Sequence, residues 1–231
     1  MKTTNKILLI TGGIVLALLI FGLIAVKISS GHLLTVQALG ASESRTIALA
    51  DFNGISVRSV WKVTLRQGSN YQVVISGPPK LLEQTLVEKR GSLLVLDARK
   101  PINNSLNQTL KAEIVMPNLE RIDYSGVSNI EAEGLNGESL KISASGVGNL
   151  IIKESSFENA IILLTGVGNI DLSQSSCRNA EIYLSGVGNL KINMAGGSLT
   201  GSLTGVGGVE YTGEVAVQDI SKTGRGKIVK K

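Results

Sequence analysis

Apolar and polar residues alternate with a period of two through most of the second half of the chain, and one short phrase interrupts the alternation at fixed intervals. The phrase reads SGVSNI from Ser125, SGVGNL from Ser145, TGVGNI from Thr165, SGVGNL from Ser185, TGVGGV from Thr204 and TGRGKI from Thr223, with starts 20, 20, 20, 19 and 19 residues apart. Three residues before each start stand Ile122, Ile142, Ile162, Ile182, Gly201 and Ile220, and one residue before stand Tyr124, Ala144, Leu164, Leu184, Leu203 and Lys222. The neighbours of the first set, Arg121, Lys141, Ile161, Glu181, Thr200 and Asp219, are mostly polar. This predicts a strand leading into every phrase. A second strand leaves it, with Ile130, Leu150, Ile170, Leu190, Val209 and Ile228 facing in. Glu131, Ile151, Asp171, Lys191, Glu210 and Val229 then face out, and Ala132, Ile152, Leu172, Ile192 and Tyr211 face in again.

Two short strands, a corner and a return side in about 20 residues make one coil of a parallel β-helix. Helical solenoids use about 33 residues or more per unit and are excluded. Six coils at a spacing of about 4.8 Å stack into a rod about 29 Å long. The phrase is the corner. Gly126, Gly146, Gly166, Gly186, Gly205 and Gly224 form one column, and Ser128, Gly148, Gly168, Gly188, Gly207 and Gly226 another, where the backbone turns sharply and approaches its own copies. The Val column between them, Val127 to Val206, is expected to pack inside the bend. Asn129, Asn149, Asn169 and Asn189 are expected to form a ladder of stacked amides. A phosphate-binding loop would need Lys and Ser or Thr after the last Gly, which the phrase lacks, and a calcium-binding roll would need a nine-residue period with Asp.

The first half has no phrase but similar short strands. Phe52–Val57, Trp61–Leu65, Tyr71–Ser76, Ser92–Asp97 and Lys111–Met116 alternate as strands, with a turn at Gln67–Asn70 and a polar loop over 100–108. Pro78-Pro79 predicts a short inserted helix over Lys80–Lys89, with Leu81, Leu82, Leu86 and Val87 on one face and Gly91 beyond its end. These segments read as irregular first coils, with the helix as insertion or cap.

Ile7 to Val26 is uncharged and about long enough to span a bilayer as a helix. Lys2 and Lys6 before it favour a cytoplasmic N-terminus. The expectation is a signal-anchor over 1–27, a stalk over 28–45 and a β-helix domain over 46–231, held outside the cytoplasm by an inner-membrane anchor. The alternative is secretion after cleavage of a signal peptide.

Charge then narrows the function classes. The net charge is +5, but Lys2, Lys6 and Lys27 flank the apolar run, and Lys222, Arg225, Lys227, Lys230 and Lys231 crowd the last coil. Setting those eight aside leaves 15 basic against 18 acidic residues, and no basic stripe with interleaved aromatics remains, so nucleic acid is not an expected partner. The terminal cluster reads as charge guarding an open edge, with an anionic partner such as a lipid headgroup or acidic polysaccharide as the alternative. Cys177 is alone, which rules out an internal disulfide, and reads as a small buried hydrophobe. Outward Asp171 and Lys191 on adjacent coils, with Glu131 two coils below Asp171, are the only weak hint of glycan-cleaving chemistry. No catalytic group, metal site or cofactor is expected. Outward apolar residues Ile161, Leu163 and Tyr183 mark the candidate partner surface, for a surface glycan or an envelope protein. An envelope scaffold or a sensor ectodomain is the alternative.

Asp51-Phe52-Asn53-Gly54-Ile55, the Val-x-Leu-x-Gln-Gly turn at Val63 to Gly68, Met116-Pro117 with Leu119, and the Gly-x-Gly-Asn-Ile/Leu repeats together carry a resemblance. Over roughly residues 50 to 228 the chain resembles the bacterial putative auto-transporter adhesin, head GIN domain family. The resemblance implies a right-handed parallel β-helix in the bacterial cell envelope and an adhesin-like role, and it carries over no catalytic residues. Three residues follow position 228, so an outer-membrane barrel, and with it self-translocation, is not expected.

Overall fold

The computed structural model describes residues 42–99 and 109–231, and the unit described here is Ser42–Lys231. The expected membrane-spanning segment lies outside the described residues. Among the described residues no helix is long and apolar enough to cross a membrane.

The unit is all-β, a solenoid of about six turns with almost no helix. Its strands in chain order are β1 Glu43–Thr46, β2 Gly54–Val57, β3 Val60–Gln67, β4 Gln72–Gly77, β5 Thr85–Arg90, β6 Leu93–Ala98, β7 Leu110–Met116, β8 Arg121–Tyr124 and β9 Val127–Glu133. They continue as β10 Asn136–Ala144, β11 Val147–Leu164, β12 Val167–Leu184, β13 Val187–Ala195, β14 Ser198–Leu203, β15 Val206–Glu214, β16 Val217–Lys222 and β17 Arg225–Lys230. The helix α1 is Pro79–Leu82.

Two parallel ladders run along the rod. The side entering each corner stacks β6, β2, β8, β10, β11, β12, β14 and β16. The side leaving it stacks β7, β3, β9, β11, β12, β13, β15 and β17. In β11 and β12 the strand runs on around the third side, with register shifts between Ile151 and Ser156 marking the bends. Equivalent side chains fall on one another: Ile122, Ile142, Ile162 and Ile182 form one buried column, and Ile130, Leu150, Ile170, Leu190 and Val209 another. Phe157 and Cys177 fill the third side. Repetition at the coil period thus builds a continuous core from coils too thin to bury one alone.

The N-terminal end departs from chain order. The β2–β3 coil lies between the β6–β7 coil and the β8–β9 coil, so strands β6 and β7 lie outside β2 and β3 although they follow them in the chain. Antiparallel strands then cover the end: β5 pairs with β6, β4 with β7, and β1 with β4. Strand β1 starts at Glu43, within the stretch read as a stalk. The expected helix over Lys80–Lys89 is corrected to a single turn. Thr85 Oγ1 donates to the Leu82 carbonyl at its end, and Thr85–Arg90 continues as β5. The apolar spacing of Leu81, Leu82, Leu86 and Val87 fits a helix face, but the open edge of β6 offers a full row of backbone partners. Pairing there outweighs local propensity.

Candidate functional site

The phrase makes a corner so tight that successive coils touch backbone to backbone. A Cβ on Gly166 would sit 2.0 Å from the carbonyl oxygen of Gly146, and one on Gly168 would sit 1.7 Å from that of Gly148. Gly168 also has φ +152, a conformation that side-chain-bearing residues rarely adopt. The valines do not pack inside the bend, and that expectation is corrected. Val127, Val147, Val167, Val187 and Val206 are between 49% and 52% exposed and form an aliphatic row on the outside of the corner. Each begins or nearly begins a strand whose inward residue lies three positions on, and a pleat with period two then places the valine outward.

The asparagines do form a ladder. Asn149 Nδ2 donates to Asn129 Oδ1 at 3.4 Å, Asn169 Nδ2 to Asn149 Oδ1 at 3.1 Å, and Asn189 Nδ2 to Asn169 Oδ1 at 3.2 Å. The backbone N–H groups of Asn169 and Asn189 donate to the same oxygens, so each amide is fixed against the coil before it. A second ladder on the third side escaped the sequence reading. Asn179 Nδ2 donates to Asn159 Oδ1 at 3.2 Å, and Ser198 donates to Asn179 Oδ1 through both N–H and Oγ. The signal was present as Asn-Ala at the same offset in two successive repeats, Asn159-Ala160 and Asn179-Ala180.

On the side entering the corner, Ile161 and Tyr183 are exposed and Leu163 is half-buried. Leu163 and Tyr183 are in register on adjacent coils, as are Ile161 and Glu181. The Tyr183 hydroxyl donates to the Glu181 carboxylate, and that bond raises its pKa. The three residues therefore share one face, with a carboxylate among them.

The side leaving the corner carries a groove of about 660 Å³. One wall is the Asn column, Asn149, Asn169 and Asn189, continued by Gly208 and Lys227 on the next two coils. Beside it, two residues on and on the same sheet face, runs a second outward row, Ile151, Asp171, Lys191, Glu210 and Val229, each in register with the next. Lys231 closes one end, with its Nζ 2.9 Å from Glu210 Oε2. Asp171 Oδ1 accepts bonds from Ser173 N–H at 2.9 Å and Ser173 Oγ at 2.6 Å. Asp171 and Lys191 thus stand next to each other as the sequence placed them, in one row along the groove. Glu131 is paired instead with Lys62 at 3.4 Å. The sequence marks Val229 as an outward residue and Lys227 and Lys231 as edge charge or a site for an anionic partner. Their share in a groove depends on which side of the coil they line.

Cys177 is buried, with its Sγ donating to the Asn179 carbonyl at 3.2 Å. Burial pushes its thiol up to about 12, and the Glu158 carboxylate adds to the shift, so the sulfur stays protonated and unreactive at neutral pH. Among the described residues no cluster of three His, Cys, Asp or Glu side chains is arranged to hold a metal ion.

A stack of parallel coils with fixed polar ladders and a lateral groove defines the class: a β-solenoid whose distinctive chemistry lies on its outer faces. The chain belongs to the family described as "Putative auto-transporter adhesin, head GIN domain", whose model matches residues 51–215. Among solved structures it is similar to a putative adhesin from Bacteroides fragilis NCTC 9343, with TM-score 0.68, 24% identity, and coverage of 82% of this chain and 97% of that one. It is also similar to a putative adhesin from Parabacteroides merdae ATCC 43184, with TM-score 0.50, 18% identity, and coverage of 82% and 98%. At these identities the likeness establishes the fold. No curated protein matches the chain.

Proposed function

We propose that the chain is a non-catalytic, adhesin-like contact module of the bacterial cell envelope. In this reading the apolar segment 7–26 tethers it to the inner membrane, and the right-handed solenoid stands outside the cytoplasm, where its outer faces engage a surface glycan or an envelope protein. The observation that carries the reading is the groove on the side leaving the corner. Its Asn row is locked by coil-to-coil hydrogen bonds, so this part of the surface needs little further ordering on recognition. Family membership supports the adhesin-like role and the location. In the groove the Asn amides are held in a ladder and Glu210 is paired with Lys231, which leaves other groups of the groove for a partner.

The test is a binding screen of the full chain against purified envelope polysaccharides and envelope proteins, with an Ile161→Lys/Leu163→Lys variant alongside. Saturable binding of at least one component by the wild type is expected. Loss of that binding in the folded variant would place the contact on the Ile161–Tyr183 face. Retention would place it elsewhere on the rod. A wild type that binds nothing in the screen would overturn the contact-module reading in favour of a scaffold or a sensor ectodomain.

A further inference from the structure

The groove has a chemistry specific enough to name the class of ligand. Each Asn amide in the wall spends one N–H on the coil before it and keeps a second for whatever lies in the groove. These donors recur at the coil spacing of about 4.8 Å, comparable with the length of one sugar unit in an extended polysaccharide. The ladder stops at Gly208, which takes the next Asn position without a side chain and widens the groove there. Apolar surface from Ile151 and Val229 lies in the neighbouring row and suits the C–H faces of sugar rings.

Charge gives the sign of the ligand. The groove holds three ammonium groups, Lys191, Lys227 and Lys231, against two carboxylates, Asp171 and Glu210, an excess of one positive charge, and Glu210 is paired with Lys231. Lys191 and Lys227 have no carboxylate within ion-pairing distance among the described residues. The two ammonium groups stand two coils apart, about 10 Å along the rod. Building on the contact-module reading, we infer that this groove binds a linear acidic polysaccharide. Its hydroxyls meet the free N–H groups of Asn149, Asn169 and Asn189, and its carboxylates meet Lys191 and Lys227. The bonds to carboxylate are charge-assisted and supply most of the selectivity over neutral chains.

The experiment titrates the full chain with polygalacturonate, with dextran as the neutral chain and with anionic phospholipid vesicles as the competing anion source. Three variants are compared: Lys191→Gln/Lys227→Gln removes the two cations, Gly208→Asn restores the missing rung and narrows the groove, and Lys141→Gln/Arg178→Gln removes two exposed cations outside the groove. Position 208 has the backbone of a column that holds Asn on three other coils of the groove, and thermal melting checks that each variant is folded. Polygalacturonate is expected to bind the wild type more tightly than dextran, with an affinity that falls as salt rises. The double Gln variant should weaken binding by about tenfold or more. Gly208→Asn should weaken it as well, and the Lys141→Gln/Arg178→Gln variant should weaken it far less than the double Gln variant in the groove. Unaltered binding in the folded groove variants, equal binding of dextran, or binding of vesicles in place of polygalacturonate would each overturn the inference. Those outcomes leave the contact-module reading standing if another envelope component binds; failure of every component sinks both.

Discussion

At the scale of the residue, the corner glycine and its neighbouring valine show two kinds of constraint side by side. Gly166 has no space for a Cβ, because the backbone of the coil below lies where that atom would be. Gly166→Val should therefore destabilise the fold on the order of the largest single-site effects, several kcal/mol. Ser173→Val, at an exposed position, should change stability by less than about 1 kcal/mol. Thermal melting of the two variants compares them directly, and similar midpoints would mean that the coils do not touch at the corner. The Gly was legible in the sequence because nothing else recurs at a tight turn in every repeat. The orientation of the valine was legible too, from counting back in twos from Ile170, but its apolar character suggested the interior. Hydrophobicity says what a residue would gain from burial, whereas the pleat decides whether it is buried.

At the scale of the element, a strand in this rod is defined by one buried row and one solvated row. Strand β9 shows this as a strict alternation of exposed and buried residues from Val127 to Glu133. Substitutions should follow the row and not the residue type. Ile162→Ala, in the buried column, should cost about 2–5 kcal/mol in chemical denaturation. Val167→Lys, in the exposed row, should cost less than about 1 kcal/mol although it places a charge where a β-branched apolar residue stood. A large loss at Val167 would show that another surface covers the row. The segment Thr85–Arg90 is the counterexample to reading elements locally. Its sequence fits a helix turn as well as a strand, and the unpaired edge of β6 settles the matter.

At the scale of the whole molecule, the two ends differ. The N-terminal end is covered by antiparallel β4 and β5, while among the described residues β17 pairs only with β15 and β16 only with β14. In a stack stabilised by nearest-neighbour contacts, a coil with one neighbour opens more readily than a coil with two. Hydrogen exchange on the full chain should therefore show the fastest amides of the regular coils in β16 and β17 and the slowest in the centres of β11 and β12. Equal protection throughout would mean that the β17 edge is covered by a further layer. Lys222, whose Nζ donates to the Gly226 carbonyl, and the ion pairs Lys230–Glu214 and Lys231–Glu210 tie down this last coil.

The sequence by itself determined the coil: its period, the strands on either side of the corner, the direction of nearly every core residue, and the positions that must be glycine. These are local properties, set by the pleat and by the steric demands of a turn, and twenty residues suffice to express them. The tertiary structure alone decided which coil lies against which. The apolar alternation of 54–67 and 93–116 fits either neighbour, so pairing between edges distant in the chain placed β2–β3 inside β6–β7. It also decided the groove. Asn189, Gly208 and Lys227 are each one coil apart in sequence, but a row with amides along it and the Lys227 ammonium group at its end exists only once those coils are stacked.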